Sequence, residues 1–175
     1  MKENNPAVIG GESTIELVAG RHPNGELVVE KILVHPLPEE NSFQLLKSPL
    51  FVRGIARTDV IQLKKGTHGQ FNVVKHGGNL CVRVFSKQDL NLPQFEGIEQ
   101  SLTSELEKLG GDLDIKEPRA LVYSIHVSCG FDVIEKILND ILSNQTEMTW
   151  LYGNVYDPDS GEPLNWWQPI LAPEQ

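Results

Sequence analysis

Between Cys81 and Tyr156 the apolar residues switch between two structural periods in a fixed order: strand, helix, strand, strand, helix, strand. Leu80, Val82 and Val84 alternate with Cys81, Arg83 and Phe85, giving a strand with one more polar face. Ile98, Leu102, Leu106 and Leu109 recur at helical spacing and run into Gly110-Gly111, where a left-handed stop is expected. Leu113 to Lys116 reads as a short strand closed by Pro118, and Leu121, Tyr123, Ile125 and Val127 share one face of the next. Asp132, with Glu135 three residues on, reads as a capping box opening a helix that turns Ile134, Ile137, Leu138, Ile141 and Leu142 inward. Glu147 to Tyr156 supplies the last strand. Helices with one apolar stripe and strands with one apolar face bury both by packing together, and this order predicts a ferredoxin-like βαββαβ sandwich. Enzymes, sensors, RNA binders and interaction modules all use such a fold, so it selects no function.

The first half keeps the period of strands. Thr14 to Ala19 is a short apolar run, followed by Gly20 to Gly25, in which Asn24-Gly25 is a turn signal. Glu26 to Val34 is rich in β-branched residues and stops at Pro36 and Pro38, which cannot donate to a ladder. Phe43 to Leu46, Leu50 to Val52, Asp59 to Leu63 and Phe71 to Lys75 read as further strands between Pro49, Gly54, Gly66 and Gly69. No helix is expected before residue 95. The whole is therefore α+β: a bent, β-rich, small barrel-like N-terminal part over residues 14–79, then the sandwich over 80–156. Residues 1–13 read as a disordered leader and residues 157–175 as a Pro- and Trp-containing tail.

A chain of 175 residues, 39% hydrophobic, can bury a real core, and no apolar run is long enough for a membrane helix. Cys81 and Cys129 sit in apolar surroundings and read as reduced thiols, which fits a cytoplasmic, bacterial-style protein. The net charge of −9 is unevenly spread: residues 1–86 hold 10 Lys/Arg against 8 Asp/Glu, residues 87–175 hold 5 against 16. A field of that sign repels phosphate backbones and attracts cationic partners.

No reactive constellation stands out. The glycine pair of His76-Gly77-Gly78-Asn79 suits an anion cradle, but no helix follows it, and a hairpin turn is the cheaper reading. His22, His35, His68, His76 and His126 share no metal-ligand spacing with each other or with cysteine, so neither metal nor cofactor is expected. His126 precedes Ser128 and Cys129 closely, yet strand neighbours three apart point to opposite faces. Asp157 to Glu162 breaks the calcium-loop pattern with Pro158 and reads as a turn. The basic residues Arg53, Arg57, Lys64, Lys65, Lys75 and Arg83 lack the exposed aromatics that stack on bases, since strand placement would point Phe51 and Phe71 inward. Trp166-Trp167 either packs back on the sheet or waits for a partner, and self-packing is preferred.

The stretch from Leu50 to Ile61, Leu-Phe-Val-Arg-Gly-Ile-Ala-Arg-Thr-Asp-Val-Ile, and that from Phe71 to Val84 together resemble a bacterial domain family of unknown function. That family carries Pro-Phe-x-x-x-x-Ile-Ala-x-Gly-Asp-x-Val and later Ser-Gly-His-Ser-Thr-Val-Arg-Val. Thr58 stands where glycine is usual, and the second run is reshuffled here. The resemblance, over about residues 26–156, implies a shared fold and no established activity. It marks Asp59 and Arg83 as matching polar positions, which we expect to form a buried ion pair tying the two halves.

Three classes of function follow. The leading one is a non-catalytic interaction protein whose acidic C-terminal half binds another protein with a basic surface, in its concrete form a toxin-neutralising immunity protein. The alternative is a small-molecule-sensing regulatory module. An enzyme using Asp59, His76 and Arg83 is a further possibility, and a nucleic-acid binder is disfavoured by the charge. Candidate binding residues are Asp59, His76, Arg83, Trp166 and Trp167, and none is assigned a catalytic role.

Overall fold

The computed structural model describes residues 11–172. Most of the expected leader, residues 1–10, lies outside the described residues, and the part inside runs into the first strand. Among the described residues, nine strands form two antiparallel sheets. The first takes β1 (Ser13–Arg21), β2 (Leu27–Pro36), β3 (Ser42–Leu45), β4 (Val60–Leu63) and β5 (Phe71–Lys75) in sequence order. The second takes β6 (Asn79–Ser86), β7 (Asp112–Glu117), β8 (Ala120–His126) and β9 (Met148–Tyr152) in the order β7-β8-β6-β9. Helix α1 (Ile98–Glu107) joins β6 to β7, α2 (Phe131–Leu142) joins β8 to β9, and a single turn, α3 (Gln168–Leu171), lies in the tail. No described helix is long and apolar enough to cross a membrane.

Alternation explains each sheet. In the first, Leu17, Ile32, Val34, Leu45 and Ile61 point to one buried face. At Asn24-Gly25 the chain turns as expected, with Gly25 at φ 92°. Pairing runs from β1 to β5 without closing, although the Val18 N–H of β1 donates to Gly69 O of the β4–β5 turn at 2.9 Å. In the second sheet, Leu80, Val82, Val84, Leu121, Tyr123 and Ile125 face Ile98, Leu102 and Leu106 of α1 and Ile134, Leu138 and Leu142 of α2. This is the helix-on-sheet layer that the sequence periods predict, and the molecule is α+β.

Two local expectations fail. Leu50 to Val52 is not a strand, because that stretch belongs to an irregular segment, residues 46–58, which crosses between the sheets. Val52 and Ile55 of this segment enter the first core, while Leu50 and Ala56 pack on Cys81, Val122 and Ile115 of the second sheet's other face. A wedge that feeds two cores cannot alternate as a strand does. Nor does Asp132 cap α2: the cap position is Gly130, with no side-chain bond, and Asp132 lies in the first turn.

Candidate interaction site

Asp59 is fully buried just after a tight turn in which its N–H donates to Ala56 O at 3.0 Å. Thr58, at the third position of that turn, is held at φ 76°. Third positions with positive φ favour glycine, so Thr58 holds a conformation that a β-branched residue adopts only under strain. The Asp59 carboxylate accepts from the N–H groups of Ala56 (3.0 Å) and Gly77 (2.8 Å) and lies 3.1 Å from His76 Nδ1. His76-Gly77-Gly78-Asn79 is thus not a hairpin. It carries the chain from β5 in one sheet to β6 in the other, and its Gly77 amide is spent on Asp59. A Cβ on Gly77 would lie 2.0 Å from Thr58 Oγ1 and 2.9 Å from Thr58 O, so close approach requires glycine there, while Gly78 sits at φ 106°, where a side chain is strained.

His76 stacks on Trp166, ring centroids 5.0 Å apart and planes 19° from parallel. The Trp166 indole N–H donates to Asn154 O at 2.7 Å. Asn154, fully buried, accepts from Cys81 N and donates to Asn79 O, both at 2.9 Å. Trp167 meets Phe131 and Trp166 at ring centroid distances of 5.2 and 5.4 Å. The tail therefore packs back on the fold, and Asp59, His76, Trp166 and Trp167 form one continuous chain of contacts.

Arg83 stands apart from that chain and does not pair with Asp59. Its buried guanidinium donates to Pro49 O (3.2 Å), Phe51 O (3.4 Å) and Val52 O. From the other sheet, the Glu30 carboxylate accepts the N–H groups of Leu50 (2.7 Å), Phe51 and Val52 (both 2.9 Å). One side chain from each sheet thus satisfies the wedge that lacks a strand partner. Lying on the surface of that clamp, Phe51 is 53% exposed and stacks at 6.4 Å on Phe85, contrary to the inward placement expected of a strand residue. Asp114 forms a second tie: it accepts from Ser48 N (2.8 Å), Ser124 Oγ and Arg57 Nη1 (3.3 Å), and burial pushes its carboxyl above the usual range. Glu30, Asn154 and Asp114 escaped the sequence reading because nothing in a strand pattern distinguishes a polar residue facing water from one facing a wedge. Both cysteines are free thiols; burial pushes that of Cys81 up.

The acids of the second half are partly consumed. Glu99 pairs with Lys116, Glu105 with Lys108, Asp140 with Lys136, and Asp112 and Asp114 with Arg57. Lys116 and Thr103 hold the Glu99 carboxyl below the usual range. Asp89, Glu96, Glu107, Glu117, Asp132, Asp159 and Glu162 are exposed and make no ion pair among the described residues. Glu96, Glu99 and Glu117 rim a groove of about 700 Å³ floored by Leu90, Leu92 and Phe95.

One family profile, described as a domain of unknown function (DUF4265), matches residues 30–150. Among solved structures, a hypothetical protein from Neisseria gonorrhoeae is similar at a TM-score of 0.63 and 15% identity, covering 82% of this chain and 94% of that chain. At that identity the likeness is one of fold alone. No curated protein matches the chain.

Proposed function

Because this chain belongs to the DUF4265 family of domains of unknown function, we propose its role from its surface: it is a non-catalytic interaction protein that docks a basic partner protein. A toxin-neutralising immunity protein is the concrete form. The observation that carries this reading is the set of seven exposed carboxylates in the second half that make no ion pair among the described residues. The acid-rimmed groove over Leu90, Leu92 and Phe95 adds an apolar floor, the combination of anchor and complementary charge on which such interfaces rely. The polar residues considered for chemistry have structural work instead: Asp59 and Arg83 are buried and bonded to main-chain partners.

Capture of a basic partner by the purified protein should weaken steeply as salt rises, because exposed charges are screened over about 10 Å at 0.1 M ionic strength. Replacing Glu96 and Glu117 by Gln together should weaken it further at low salt without changing the melting temperature. Binding indifferent both to salt and to these substitutions would overturn the reading.

A further inference from the structure

Each sheet ends in two edge strands, and an edge leaves a row of main-chain donors and acceptors open to another chain. Three of the four edges carry protection. β1 is bulged between Val18 and Gly20 and bears Glu16 and Arg21. β5 faces a register shift at Val60/Ile61 and ends in Lys75. β7 is bulged between Leu113 and Ile115 and reads Asp-Leu-Asp-Ile-Lys-Glu. β9 differs: Met148-Thr-Trp-Leu-Tyr152 has no charge, no proline and an unbroken register with β6.

Which groups of β9 are open follows from its ladder. Lys87 N donates to Glu147 O and Gly153 N to Cys81 O, so the odd-numbered residues bond toward β6. Pairs alternate in an antiparallel ladder, which turns the main-chain groups of Trp150 and Tyr152 to the outside. On one flank of this edge, Leu151 (42% exposed), Phe51 and Tyr156 border a hollow of about 410 Å³ that also includes Arg53. On the other flank stands α2, where Glu135 accepts the Tyr152 hydroxyl at 3.0 Å. Around the strand, residues 131–162 hold seven Asp/Glu and one Lys. That charge opposes a second copy of this chain on the edge and favours a cationic segment.

We propose that β9 is a docking edge onto which a basic, extended segment of a partner protein adds as a fifth strand, apolar residues toward the hollow and basic residues toward α2. This addition rests on the proposed role as a partner-docking protein and names its surface. Main-chain bonds supply affinity and the alternate side chains supply selection.

Amide hydrogen exchange on the whole chain, read by NMR with a synthetic peptide of alternating lysine and valine as probe, tests it. In the free protein the Trp150 and Tyr152 amides exchange fast and those of Thr149 and Leu151 slowly. The peptide should slow Trp150 and Tyr152 specifically, and Leu151→Lys should weaken its binding about tenfold, about 1.4 kcal/mol, with the melting temperature unchanged. Thr149→Lys, also on the exposed face, serves as a second variant should the first disturb the fold. Salt-sensitive binding that leaves both amides unprotected would overturn the edge while sparing the acidic-surface reading. Protection that appears without peptide and grows with protein concentration would put a second copy there and overturn it. A peptide that does not bind at all also overturns the edge, whereas the acidic-surface reading stands or falls on partner capture and its salt dependence.

Discussion

Thr58 and Gly153 carry opposite strains. A β-branched residue at φ 76° pays for a turn that glycine makes freely, a cost of about 1–3 kcal/mol. The Asn79 amide that reaches Thr58 Oγ1 also donates to Arg57 O, so removing the hydroxyl leaves it a partner. Thr58→Gly is therefore expected to stabilise the protein by about 1 kcal/mol, measured by urea unfolding, and a loss of stability would contradict the strain. At Gly153 a Cβ would lie 2.7 Å from the Arg83 guanidinium. That group is fixed by three carbonyls and has nowhere to go, so Gly153→Ala should cost roughly 2 kcal/mol in the same assay. An effect near zero would mean that the guanidinium is loosely held.

At the scale of elements, segments with a clean period were readable and segments that serve two masters were not. β2, α1 and α2 each bury one apolar face, and β6 and β8 turn an alternate apolar set to the helices while their more polar face meets the wedge, so in each the apolar spacing states the type. The wedge over residues 46–58 feeds both cores, and its backbone is satisfied by Glu30 and Arg83 from distant strands, so its apolar triplet imitated a strand. The supposed capping box at Asp132 imitated a cap in the same way. Without a cap bond, Asp132 can act only through its charge near the helix start. Asp132→Ala is expected to cost about 0.5 kcal/mol or less, with the small effect vanishing in high salt; a loss of about 1 kcal/mol or more would restore the cap. Thermal unfolding at two ionic strengths separates the outcomes.

Over the whole molecule, buried polar ties join the sheets, and one of them makes stability depend on pH. Asp114 is pushed up chiefly by burial, against the opposing pull of its bonds from Ser124 and Ser48 and the charge of Arg57. A carboxyl raised in the folded state contributes stability below its ordinary value, and that contribution is lost as pH climbs through the folded value. The stability advantage of the native chain over Asp114→Asn should therefore be largest in acid and shrink toward neutrality, as followed by urea unfolding across that range. An advantage that grows with pH would mean that Arg57 outweighs burial. Of the candidate binding residues, Asp59, His76, Trp166 and Trp167 come together, while Arg83 works alone on the wedge. Periodicity is a local property of the chain, which is why strand, helix and the order of the second half could be read from residues alone. Partners of buried polar groups are separated by up to 76 positions, as Ser48 and Ser124 are, and only folding brings such groups within bonding distance. The lopsided charge was written in the composition, but which acids stay free for a partner was decided by where Lys108, Lys116, Lys136 and Arg57 came to rest.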